Sequence, residues 1–246
     1  MATKPLVDWI WIGDHLDDIA ARTIQHLGIA SLAIVVGFAI SFVLALWAVR
    51  DRRVFAPITG LAGVLYTIPS LALFAALVPI TGLSLLTAEI PLVLYTLLIL
   101  VRNIVAGFDA VPNDVLEAAS GMGFSRAGRL WRVELPLAIP LIVAGLRLAS
   151  VSTIGLVTIA AILGEKFGGL GVFISEGLQT FFPTKVYVGA VLSVALALGA
   201  DLLFVALQRR LTPWARARGA GTAAGAGTAA GAGTAAGAGT ADGAEA

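Results

Sequence analysis

Long apolar runs, rather than alternating apolar and polar positions, dominate this chain. Five stretches, at about residues 23–49, 58–80, 89–107, 137–163 and 184–207, carry few charges and, as helices, are long enough to cross a bilayer core of roughly 30 Å. Helices are the economical form for them: an open strand leaves its amides unsatisfied in lipid, and barrel strands alternate apolar and polar residues in short segments. The expected fold class is all-α integral membrane, with about five transmembrane helices. Ahead of the first run, Trp9, Ile10, Trp11, Ile12, Leu16 and Ile19 interleave with Asp8, Asp14, Asp17 and Asp18. That pattern fits a short amphipathic segment at the interface or a plain pre-helix linker. The acids are unlike the basic start of a cleaved signal, so residues 1–22 are expected to be retained, outside the cytoplasm.

Composition agrees with a lipid solvent: 59% of the 246 residues are hydrophobic and 13% charged, where a soluble domain has nearer a quarter charged. A net charge of +1 without a basic block gives no nucleic-acid footprint. Absent cysteines exclude disulfides and thiolate chemistry. His15 and His26 are the only histidines and the intramembrane acids do not cluster, so neither a metal site nor a set of catalytic residues is expected.

Cations set the orientation. Arg50, Arg52 and Arg53 follow the first run; Arg126, Arg129 and Arg132 lie between the third and fourth; Arg209, Arg210, Arg216 and Arg218 follow the fifth. With an odd number of spans and the N-terminus outside, all three clusters fall in the cytoplasm, as the positive-inside rule requires. Trp47 and Trp214 suit the cytoplasmic aromatic belt. Residues 23–208 then form one transmembrane domain. Residues 209–246 form a basic segment and a tail of four near-copies of Gly-Thr-Ala-Ala-Gly-Ala, the last carrying Asp242, a composition that reads as a flexible appendage.

The longest cytoplasmic loop, 108–136, has its own architecture. Asp114 and Glu117 stand at capping-box spacing, which predicts a short helix starting there. Gly121 and Gly123 are expected to end it through positive φ, and Ser125 to cap a second helix through Leu130 and Trp131. Pro136 is expected to stop that helix and feed the fourth span. Two short helices split by glycine make a rigid knob on the cytoplasmic face.

Glu117-Ala118-Ala119, Gly123 and then Glu134-Leu135-Pro136 resemble the EAA signature of binding-protein-dependent ABC importer permeases. The resemblance implies that this loop inserts a coupling helix into a groove on ABC ATPase subunits, with Glu117, Ala118, Ala119, Gly123 and Pro136 as its coupling residues. It also implies a second permease copy or sister permease, and an extracytoplasmic substrate-binding protein. This chain has no Gly-x-x-x-x-Gly-Lys-Ser/Thr loop, so it is expected to bind no cofactor, leaving ATP and Mg to the partner ATPase.

The similarity runs through most of residues 25–213 and fits best the osmoprotectant branch, whose members import glycine betaine, choline, carnitine and related amines. Its carriers are Tyr66-Thr-Ile-Pro69-Ser70-Leu-Ala-Leu, Leu100-Val-Arg102-Asn103, Ala144-Gly145-Leu146-Arg147, Gly168-Gly-Leu-Gly171 and Ala200-Asp201-Leu-Leu. The first span reads Gly37-Phe-Ala-Ile-Ser41 where many relatives carry Gly-Ile-Pro-x-Gly. The chain is accordingly expected to be a multi-pass cell-membrane permease for a quaternary-amine osmoprotectant. The alternatives are a permease for methionine or another small metabolite, an ATPase-independent channel or carrier, and a scaffold without solute flux.

Tyr66, Pro69, Ser70, Arg102, Asn103, Arg147 and Asp201 are the candidate pathway or gate positions. Pro69 in mid-span removes a backbone hydrogen bond, predicting a kinked, pathway-lining span or a static kink. Gly189, Ser193, Ala197 and Asp201 recur every four residues, so this face of the fifth span should pack against protein. Asp201 is expected to pair with Arg147 or Arg102; otherwise the cations snorkel to headgroups. The aromatics available for a cation–π cage are Tyr66, Phe74, Tyr95 and Tyr187, which serve equally as packing residues.

Overall fold

A computed structural model describes residues 6–211. The expectations for Trp214, Arg216, Arg218 and the repeated tail fall outside that span. Among the described residues the chain is helical, with no strand. The short helix α1 (Trp9–Asp14) is capped by Asp8, whose carboxylate accepts from the Ile10 and Trp11 amides at 3.1 Å. Trp9 and Ile10 face outward, while Trp11 packs edge-on against Phe173 and Phe182.

Four helices are long and apolar enough to cross a membrane: α2 (Leu16–Arg50), α5 (Leu85–Asp109), the run Arg126–Leu163 that contains α8 (Leu135–Ile159), and α10 (Pro183–Leu211). A fifth crossing comes from α3 (Phe55–Thr67) and α4 (Ser70–Thr81) if that bent pair is one span. The first span starts before residue 23 because its polar first turn, with Asp17 and Asp18 at the positive end of the dipole, is itself a good helix start. The remaining helices are α6 (Asn113–Gly121), α7 (Arg126–Arg129) and α9 (Gly171–Gln179).

Helix α5 is the axis of the bundle, packed between α2 and α8, with α10 on the far side of α8. Two cores result. One joins Ile29, Ala33, Phe74, Leu92, Ile154 and Val157 toward the N-terminal side; the other joins Ala45, Ala48, Leu100, Ile104, Ala138 and Ile142 toward the loop. The fully buried alanines are what membrane helices need, since lipid supplies no hydrophobic drive between them and close van der Waals approach must hold them together. The small stripe of α10 follows the same rule: Gly189 and Ser193 are buried, Ala197 lies against the first core, and only glycine fits where a Cβ would stand 2.7 Å from the Leu170 carbonyl.

Gly37 marks the tightest crossing. A Cβ there would lie 2.0 Å from Thr96 Oγ1 on α5, and Thr96 cannot turn away freely because that hydroxyl donates to the Val93 carbonyl at 2.7 Å. Gly37→Val is therefore expected to destabilise the bundle by about 1–3 kcal/mol. The apparent melting temperature of the purified protein measures this, and Thr96→Ala in the Gly37→Val background should recover part of the loss.

The cationic ends gather at one end of the bundle. Arg52 pairs with Asp109, joining the start of α3 to the end of α5, and Gln208 reaches the Pro140 carbonyl at the start of α8. At the opposite end Arg22 pairs with Glu165, and the Asp8 amide donates to Thr184 at 2.9 Å. Arg52 thus lies at the end of the bundle that carries the 108–136 loop, and α1 and α9 at the other, the segregation that the positive-inside rule expects.

Candidate translocation and coupling sites

Pro69 breaks its span rather than kinking it: α3 and α4 meet at 93° across Ile68 and Pro69. The kink expected from the sequence is thus a full discontinuity. Both junction residues are extended, with ψ of 127° and 131°, a conformation that proline imposes on the residue before it and that cannot continue a helix. Irregular backbone at membrane depth is tolerated where it lines a cavity. A cavity of about 420 Å³ does lie here, between the break, α5 and α8. It brings together Tyr66, Pro69 and Ser70 from the expected set and adds Tyr95, Thr96 and Thr153. Tyr66 and Tyr95 stack edge to face, with centroids 5.6 Å apart, and the Tyr95 hydroxyl donates to the Ile68 carbonyl, one of those freed at the break. Phe74 is fully buried in a core and Tyr187 lies on α10, so neither joins them.

Arg147 and Asp201 sit elsewhere, on facing surfaces of α8 and α10. Arg147 Nε donates to Asp201 Oδ1 at 2.9 Å and a terminal nitrogen to Oδ2 at 3.0 Å, a two-pronged ion pair. Arg102 is exposed on α5 without an ion pair among the described residues, and Asn103 donates to its own helix at Ile99 while packing on Gly145. The structure therefore does not unite the candidate gate residues at one place.

The 108–136 loop is a compact knob. Helix α6 begins one residue before Asp114, with Pro112 at its N-cap and no side-chain cap, so the expected capping box is absent. Pro112 already supplies the carbonyl that accepts from Val115 and Leu116, leaving Asp114 in the first turn as a charge on the dipole. At the other end, Phe124 N–H donates to Ala119 and Gly123 N–H to Ser120, the paired bonds of a Schellman motif with Gly123 at φ 82°. Gly121 stays helical; only Gly123 needs the left-handed region. Ser125 caps α7 as expected, accepting from Gly128 N–H at 3.1 Å. Arg129 then ties the knob together, reaching the buried Glu134 at 2.7 Å and Ser120 at 3.1 Å. On α6, Glu117 and Ala118 face outward and Ala119 is buried.

Pro136 does not stop a helix. The residues Leu130–Glu134 form a π turn in which the Leu135 amide reaches back five residues to Leu130, and Leu135 itself is helical. One widened turn makes room for the proline ring and its missing donor, so the helix runs unbroken from the knob into α8.

The sequence pattern of the family described as "Binding-protein-dependent transport system inner membrane component" matches residues 22–213. This chain belongs to that family. Among curated permeases of the kind, it is 33% identical over 196 residues to the choline transport system permease protein OpuBB of Bacillus subtilis, covering 80% of this chain and 89% of the relative. To the osmoprotectant import permease protein OsmW of Salmonella typhimurium it is 36% identical, covering 81% and 94%. To the carnitine transport permease protein OpuCB of Listeria monocytogenes it is 35% identical, covering 80% and 89%. In fold, this permease superposes on the inward-facing MetNI methionine ABC transporter with a TM-score of 0.70 at 19% identity, over 79% of this chain and 96% of that one. An amino acid ABC transporter solved with histidines gives 0.68 at 19% identity, over 83% and 99%. The permease is thus a multi-pass inner-membrane protein with the architecture of these importers.

Proposed function

We propose that this permease forms the translocation path of an ATP-driven importer for quaternary-amine osmoprotectants of the glycine betaine, choline and carnitine type. The observation that carries the reading is the kinship with permeases named for those solutes, which spans most of both chains. The methionine importer shares the fold at 19% identity, a likeness that does not extend to its solute.

In this reading the knob from α6 to the π turn docks on an ABC ATPase, which binds ATP and Mg, and a second permease copy or sister permease completes the pathway. Glu117 and Ala118 are the outward contacts, Ala119 and Gly123 shape the helix that carries them, and Pro136 joins it to α8. The unbroken helix supports this mechanism, since a displacement of the knob passes into α8, which walls the tyrosine cavity, without a flexible joint. The solute arrives on an extracytoplasmic binding protein and leaves when the two permeases close outside and open inside.

Uptake of labelled glycine betaine after osmotic upshift is expected to disappear in cells lacking this gene and other betaine systems. Unchanged uptake would sink the proposal. Gly123→Val is the matching coupling test: a branched side chain at φ 82° is strained by about 1–2 kcal/mol. Membrane insertion should be normal, while binding-protein-stimulated ATP hydrolysis and uptake fall several-fold together.

A further inference from the structure

The Tyr95 hydroxyl satisfies a carbonyl freed at the helix break, but that bond does not account for the second tyrosine set against its ring or for the open space beside them. Resting on the functional reading above, we propose that the cavity at the α3–α4 break is a transit site in the permease itself, where the ring faces of Tyr66 and Tyr95 hold the quaternary ammonium group of the passing solute.

The chemistry of the walls points to such a cation. At about 420 Å³ the space lies in the range of small-molecule sites. No lysine, arginine, aspartate or glutamate lines it, so an inorganic anion or a bare metal ion finds no counter-charge there. What it offers instead is two aromatic rings crossed at 77°, methyl and methylene surface from Ile99 and Leu156, and hydroxyls from Thr96 and Thr153. A tetraalkylammonium group presents methyls outside and a diffuse positive charge within, and it is attracted by ring faces without needing a carboxylate. Tyr95 is buried and its hydroxyl is anchored on the Ile68 carbonyl, so its ring is preorganised; Tyr66 is 44% exposed and available to a ligand. Binding through rings alone is also weak enough for the solute to leave again, which a transit site requires.

Saturation-transfer NMR on the purified permease–ATPase complex, without the binding protein, detects such weak contacts. The probes are glycine betaine, tetramethylammonium and 3,3-dimethylbutanoate, which keeps the shape of betaine but not its positive charge. Wild type is expected to transfer saturation to the N-methyl protons of both ammonium probes and far less to the tert-butyl protons. Tyr66→Leu should raise the apparent Kd for both cations by roughly 5- to 30-fold, Tyr66→Phe by no more than about 2-fold, and the distant Tyr187→Leu should leave it unchanged. No N-methyl signal in wild type, equal affinity in Tyr66→Leu, or equal binding of 3,3-dimethylbutanoate would each overturn the site, the last assigning the cavity to apolar groups such as lipid chains. A positive cation signal in a permease whose deletion leaves betaine uptake intact would instead overturn the functional reading while leaving a cation site in place.

Discussion

Asp201→Ala is expected to destabilise the assembled permease by about 2–3 kcal/mol and to lower its apparent melting temperature by roughly 5–10 °C. The aspartate and Arg147 meet through two parallel hydrogen bonds, with about a third of each side chain accessible between α8 and α10. Removing the acid leaves an arginine on an apolar helix pair. Its long stem lets it reach toward water or headgroups, which keeps the loss below that of a fully enclosed charge. Replacing both partners, as in Arg147→Met with Asp201→Leu, removes the unpaired charge and should recover most of the stability. A double replacement as unstable as Asp201→Ala would show that the pair does more than neutralise its own members. Asp201→Asn separates charge from shape: it keeps one acceptor oxygen and should fall between wild type and alanine.

His26→Leu is the second large effect, about 2–4 kcal/mol, and it arises outside every motif that the chain resembles. The ring is fully buried in α2. Its Nε2–H donates to the Ile154 carbonyl of α8 at 3.0 Å, and its Nδ1 accepts from the Leu170 amide at 3.3 Å. One neutral imidazole therefore clasps two helices and the outer turn before α9. Gly169 lies against it at φ 49°, where a Cβ would come 2.7 Å from that of His26. Leucine fills similar space but leaves a buried carbonyl and a buried amide without partners. Hydrogen exchange over residues 165–171 reads the clasp directly: protection at Leu170 should drop in His26→Leu while the second core around Ile104 keeps its protection. Equal protection in both proteins would show that the histidine is filler.

The two effects differ in how they could be read beforehand. Asp201 stands in a four-residue stripe of small residues, and a lone acid at the end of such a stripe suggests a partner; the choice between Arg102, Arg147 and cations that snorkel to headgroups was open. His26 has no such pattern. Its partners are backbone groups 128 and 144 residues away, and backbone groups carry no sequence signature.

The same contrast holds along the fold. Apolar run lengths determined that this is a helical membrane protein, and the placement of arginines gave the expected orientation, because the bilayer tests hydropathy and charge locally, segment by segment. The Gly123 turn and the Ser125 cap were legible for the same reason: each is decided within a few residues, and the capping-box expectation failed locally too, when Pro112 took the cap that Asp114 was assigned. What the tertiary structure alone decided are outcomes set by neighbours. Pro69 and Pro136 both lack an N–H, yet one becomes a 93° break beside a cavity and the other vanishes into a π turn, because packing at each place decides whether the freed carbonyls find room or partners. Tyr66 and Tyr95 meet while Phe74 and Tyr187 do not, since a side chain's company inside a membrane bundle depends on which helix faces which, and that is a property of the whole set of helices.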